Sequence, residues 1–141
     1  MATEAKRTAV NAPAETGINL YDVDQAFQEM EAWPTQVLEI LDGPINHRGA
    51  IIYRDPSRQL SLGVWECAPG KFRFVEDGSA IERCVIGKAT ITDEETGRSI
   101  TVTPGMKWTV KPGTVEIWEV HEQFRKEYVI LDEFVDEDRF W

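Results

Sequence analysis

Two stretches hold the side chains best placed to do chemistry. FVEDGSAIERCVIG, residues 74–87, carries Glu76, Glu82 and Cys84, and VEIWEV, residues 115–120, carries Glu116 beside Trp118. Residues two apart on a strand share a face. Glu82, Cys84 and Ile86 therefore fall together, as do Glu116, Trp118 and Val120, and, just upstream, Phe72, Phe74 and Glu76. Carboxylates gathered away from water resist ionisation, because each is desolvated and each repels the others. A pair whose pKa values are driven apart can act as general acid and general base. The same groups favour hard cations such as Mg, Mn or Ca over zinc or copper, or bind an amine or guanidinium directly. The plainer reading pairs Glu82 and Glu116 with Arg73, Arg83 or Lys111 as ordinary salt bridges and leaves Glu76 solvated beside its EDG turn.

The other candidates are weaker. Cys84 has no histidine placed to activate it and reads as a small buried hydrophobe. Cys67 and Cys84 fit no zinc spacing and read as reduced thiols. His121 has the opposite parity to Glu116, and His47, in NHRGA, has no partner identifiable along the chain.

The elements that must position these groups are β-strands. AIIY, LSLGVWECA, KFRFV, IERCVIGKATIT, SITVT, KWTV, VEIWEV and KEYVIL are separated by turn-forming DPSR, PG, EDG, DEETG, PG and KPG. Eight such runs with no helical period between them predict an all-β barrel. Ahead of them, Asp22 and Gln25 resemble a capping box and predict a short helix through Phe27, Met30 and Trp33, ended by Pro34. The chain divides into an N-terminal arm (1–17), a helix and lead-in (18–46), the barrel (47–131) and an acidic tail (132–141). Its 141 residues fit one domain. With 25 acidic against 15 basic residues the net charge is −10, which argues against nucleic acid and anionic membranes as partners. The basic N-terminus has no apolar stretch behind it, so a secretory signal is not expected and cytoplasmic residence is.

Three pieces, GVWECAPGKFRF, VIGKATITDEETG and PGMKWTVKPGTVEIWEVHEQFRKEYVI, resemble the cupins in sequence and order over roughly residues 47–131. More narrowly, they are similar to the small cupins grouped with (S)-ureidoglycine aminohydrolase and the ethanolamine-utilisation cupin protein. The resemblance implies an all-β, RmlC-like jelly-roll barrel with a short N-terminal helix. Laid on this chain, the first cupin motif puts its two histidine positions on Glu76 and Gly78. Its glutamate position falls on Ala80 counted back from Gly87, or on Glu82 counted forward from Gly78. The second motif puts its histidine on Glu116 and its asparagine on Val120. Tyr53, Tyr128 and Arg125 also match family positions. The usual three-histidine metal centre cannot be built, so no cofactor is expected and a carboxylate-bound divalent metal is not the favoured reading.

With Glu116 facing inward, the expected cavity is lined by Phe72, Phe74, Cys84, Ile86, Trp118 and Val120, with Glu76, Glu82 and Glu116 as its acids. Two functions follow. One is binding of a small polar, nitrogen-containing metabolite, with hydrolysis or elimination by Glu82 and Glu116 as acid and base. The other is a metal-free, non-catalytic binding or accessory cupin. Outward Val85 and Ile117 need cover, which predicts a homodimer.

Overall fold

In a computed structural model of the chain, the described residues are 17–34 and 37–131. The acidic tail at 132–141, and all but the last residue of the arm at 1–17, lie outside them.

The Asp22 side chain caps the helix by accepting from the Gln25 backbone N–H at 3.1 Å. Only half of a capping box forms, because the Gln25 side chain donates forward to Glu29 (2.8 Å) rather than back to the cap. Helix α1 runs Val23–Gln28, shorter than the span to Trp33 that its apolar spacing predicts. From Glu31 the backbone finds partners in a sheet instead: β1 (Glu31–Ala32) pairs with β3 (Arg48–Asp55), and the Trp33 N–H donates to the His47 carbonyl at 3.2 Å. Sheet pairing here overrides a helical period.

The remaining strands are β2 (Glu39–Asp42), β4 (Leu60–Cys67), β5 (Gly70–Val75), β6 (Ser79–Asp93), β7 (Ser99–Val102), β8 (Lys107–Val110) and β9 (Val115–Leu131). The runs VEIWEV and KEYVIL form one continuous strand, β9, rather than two. β9 is the spine of the barrel. β6 occupies one of its edges from Glu116 to Leu131. β5 takes the other edge opposite residues 115–120 and β4 takes it opposite residues 124–130. β3 lies outside β4, β2 outside β5, and β7 and β8 outside β6. β1 and β2, from the stretch read as lead-in, are thus part of the same sheet.

Alternation sorts the side chains into two cores. Inside the curled sheet, Trp65, Phe72, Trp108, Trp118, Phe124 and Tyr128 pack as an aromatic cluster with Ile45, Val102 and both cysteines. On the outer face, α1 lays Ala26 and Phe27 over Ala50, Ile52 and Val64. Val85 packs against this outer core, so the cover it was expected to need from a second copy comes from the chain itself. Glu66 joins the two layers. It accepts from Arg48 (2.8 Å) and Arg125 (2.7 Å), and the Arg125 guanidinium lies 5.0 Å from the centre of the Phe27 ring.

One irregularity decides what β6 offers the interior. Its register against β9 shifts between Cys84 and Ala89, and buried positions change from even (Ala80, Glu82, Cys84) to odd (Ala89, Ile91). Gly87 sits in this bulge at φ +95°, where a Cβ would come within 2.2 Å of the Gln123 carbonyl. The bulge turns Ile86 out to 41% exposure, which corrects the expectation that Ile86 lines the cavity.

Candidate functional site

A cavity of about 370 Å³ opens in the barrel. Its walls are aromatic and aliphatic: Trp65, Phe72, Phe74 and Trp118 from the strands, with Trp33 and Leu38 from the segment before β2. The polar groups of its lining are His47, Glu76, Asp77, Glu82, Lys126 and Tyr128. A mostly apolar pocket with a few converging polar groups is the form that small-ligand sites take.

Of the residues predicted for the site, Phe72, Phe74, Glu76, Glu82 and Trp118 line this cavity. Glu116 lies behind the lining, fully buried, and belongs to the acid cluster. Cys84 does not line it. Its Sγ lies 3.5 Å from the Ile86 carbonyl, inside the bulge, and it packs in the buried cluster with Phe124 and Trp108. Val120, also expected in the lining, is buried in that cluster and does not line the cavity either. Glu76 is 4% exposed, so the solvated reading of it is wrong. Its backbone explains why: the Glu76 N–H donates to the Thr114 carbonyl at 2.9 Å, and the Glu76 carbonyl accepts from Gly113 N–H at 2.8 Å. The turn is thereby stitched to the start of β9, beside Glu116.

Glu76, Glu82 and Glu116 each bring an oxygen within 4.8 Å of the other two. None pairs with the arginines or lysine proposed from sequence. Arg73 binds Glu94 and Glu39, and Arg83 binds Glu127. Glu82 instead forms an ion pair and hydrogen bond with Lys126, and its Oε2 has no partner among the described residues. Glu116 accepts from the Trp118 indole N–H at 2.9 Å.

Crowding three acids in a dry site has the expected electrostatic result. Burial, then the charges of Glu82 and Glu116, push the Glu76 carboxyl up to about 9. Burial and Glu82 push Glu116 up to about 7, against the opposing pull of Lys126 and the Trp118 hydrogen bond. The proton on Glu76 is shared in a hydrogen bond with Glu116. Burial disfavours the charge of Lys126, yet Glu82, Glu116 and Glu76 together hold its pKa above the usual lysine range. Its ammonium also lies over two indole faces, 4.7 Å from the ring centre of Trp118 and 4.8 Å from that of Trp65.

His47 has the partners that sequence did not supply. The Trp65 indole N–H donates to its Nδ1 at 3.0 Å, and its Nε2 lies 3.0 Å from the Pro34 carbonyl. Those two bonds require a neutral ring with the proton on Nε2. Burial first, and then the charge of Lys126, lower its pKa despite the Pro34 bond.

Lys126, His47 and Tyr128 are the cavity residues to which sequence reasoning gave no role. A signal for two of them was present. Glu116, Trp118, Phe124, Lys126 and Tyr128 share even parity along β9, and splitting that strand at HEQFR hid Lys126 and Tyr128 from the count. The metal of the general cupin centre does not fit these residues: the histidine positions are carboxyls and glycine, and a lysine ammonium lies among the acids.

The sequence matches the model of the EutQ-like cupin domain over residues 54–128, more than half of the chain. No curated protein matches it. Solved structures with a similar fold include a Pseudomonas syringae protein of the DUF861 family (20% identity, TM-score 0.68), covering 86% of this chain and 51% of that one. An acetylacetone dioxygenase from Acinetobacter johnsonii is similar at 13% identity and TM-score 0.62, over 90% of this chain and 82% of that one. The EutQ protein of Clostridium difficile is similar at 18% identity and TM-score 0.55, over 62% and 63%.

Proposed function

The chain belongs to the EutQ-like cupin domain family, and from that premise we propose that its barrel binds a small metabolite with an apolar body and a nitrogen-containing, amide-like head group. The observation that carries the reading is that Glu76, a carboxyl that keeps its proton, and Glu82, paired with the Lys126 ammonium, line the cavity together. The Glu76 proton, held against Glu116 in the free protein, turns to a carbonyl oxygen of the bound ligand. Glu82 Oε2 is buried without a partner and would accept from an N–H, relieving the cost of an unmet buried acceptor. A head group with C=O and N–H side by side meets both. The aromatic walls suit the apolar body, and the resemblance to (S)-ureidoglycine aminohydrolase drawn from sequence is in keeping with a nitrogen-rich ligand.

The chemistry that fits is hydrolysis or elimination at that head group. In hydrolysis a water bonds to the head-group carbon as the C–N bond breaks, the nitrogen leaves with the Glu76 proton, and the proton released by the water returns to Glu76, whose hydrogen bond Glu116 accepts. In elimination the neighbouring C–H proton takes the place of the water's. Glu82, paired with Lys126, orients the head group, so the proposed acid–base role moves from Glu82 and Glu116 to Glu76, with Glu116 accepting its hydrogen bond. One observation favours the alternative, a binding or accessory cupin without turnover: Glu116 is screened from the cavity, so only one of the paired acids touches a ligand.

The test is a panel of small amides, amidines and ureido compounds, with simple amines and carboxylates as controls. Binding is read by thermal shift and by tryptophan fluorescence, since Trp65 and Trp118 are both walls. Amide-like compounds should raise the Tm and perturb fluorescence, and Glu82→Gln should weaken them at least tenfold. Equal binding by Glu82→Gln, or no response to any amide-like compound, would refute the reading. Binding without product formation would leave the accessory alternative.

A further inference from the structure

We propose that the Lys126 ammonium is the resident cation of the Glu76–Glu82–Glu116 centre, holding the place a divalent ion would take among these acids and keeping one out. The inference shares with the reading above only the geometry of the acids, and it stands whether or not the cavity takes an amide.

Three observations support it. The acids offer oxygens mutually within 4.8 Å, a gathering of hard donors that a divalent ion would otherwise favour. Lys126 reaches into that gathering from the middle of β9 and pairs directly with Glu82, and all three acids favour its charge. The Trp65 and Trp118 faces flank the ammonium at 4.8 and 4.7 Å, so a carboxylate and two indoles hold it in place. A dication entering the cluster would meet a fixed positive charge at short range in a low-dielectric site, where like charges repel far more strongly than in water. The centre of a cupin barrel is here closed by a tethered lysine. The cation is covalently part of the chain and cannot be removed by dialysis.

The consequence is a gain of function on removing one charge. Lys126→Met keeps the apolar stem over both indoles and removes the ammonium, whereas Lys126→Arg keeps the charge. Mn²⁺ is titrated at mildly alkaline pH into wild type and both variants, with binding read as loss of the free-ion EPR signal. Lys126→Met should bind one Mn²⁺ per chain at least 100-fold more tightly than wild type, and Lys126→Arg should behave as wild type. Wild type binding one Mn²⁺ within tenfold of Lys126→Met would overturn the proposal, as would a folded Lys126→Met that binds none. Should Lys126→Met fail to fold, wild type with isotope-labelled lysine decides. Lys126 side-chain signals that stay sharp under Mn²⁺ support the proposal, and stoichiometric paramagnetic broadening overturns it. Amide binding is read separately in Glu82→Gln, so the two ideas fail by different results.

Discussion

Raising pH from neutrality should destabilise this protein, and Glu76→Gln should remove most of the effect. The folded state holds the Glu76 proton up to about pH 9, whereas an unfolded Glu releases it near its ordinary value of 4.5. Between those limits the native chain binds one proton more than the unfolded chain, so stability falls as pH rises. The cleanest window lies above neutrality. Glu116, at about 7, completes its titration in the lower part of that window and adds a small loss of the same sign. His47, whose lowered pKa gives the opposite slope, acts only below its unfolded value of 6.5. Cys67 and Cys84, raised to about 12 and about 11 from 9.0, contribute only as pH approaches 9. The charge of Lys126 is held above the usual lysine range. One proton over about 1.5 pH units, at about 1.36 kcal/mol per unit, amounts to a loss of about 2 kcal/mol between about pH 7 and about pH 8.5. The assay is urea unfolding across that window, followed by tryptophan fluorescence, for wild type and Glu76→Gln. A wild-type stability that is flat or rises with pH would refute the protonated-carboxyl reading. An unchanged slope in Glu76→Gln would show that another group carries it.

The remaining expectations are simpler. Gly87→Ala should cost at least about 2 kcal/mol in the same unfolding assay, because the new Cβ meets the Gln123 carbonyl and the residue is held at a positive φ; a loss under about 0.5 kcal/mol would show that the bulge relaxes. Both thiols are buried with raised pKa values, so a thiol reagent should label neither in the native protein and both in denaturant, read by mass spectrometry.

Much of this molecule was legible because strand periodicity is local. Alternation put Glu82 with Cys84, Glu116 with Trp118, and Phe72 with Phe74 and Glu76. Each of these groupings holds in the fold, as far as the bulge that turns out Ile86. The order of the β runs and their resemblance to cupins led to the right architecture for the same reason, since pattern and turn chemistry are written residue by residue. The helix was overextended because its apolar spacing continues to Trp33, while the backbone beyond Glu31 is taken by β3.

What the chain could not disclose by itself is who meets whom across the barrel. Lys126 is 44 residues from Glu82, and nothing in its neighbourhood, FRKEYV, marks it as the partner of an acid rather than a surface charge. His47 finds Trp65 across the β3–β4 pairing. Glu76 is buried because hydrogen bonds from the Gly113–Thr114 turn fold it inward, although its own EDG context is that of a solvated turn. Parity assigns a residue to a face. Only the closure of β5, β6 and β9 around one interior sets the distances between faces, and charges interact by distance. Sequence therefore determined that three carboxylates and a set of aromatics were available to one cavity. The tertiary structure decided that the acids converge on a lysine, which proton is held, and which of the acids a ligand can reach.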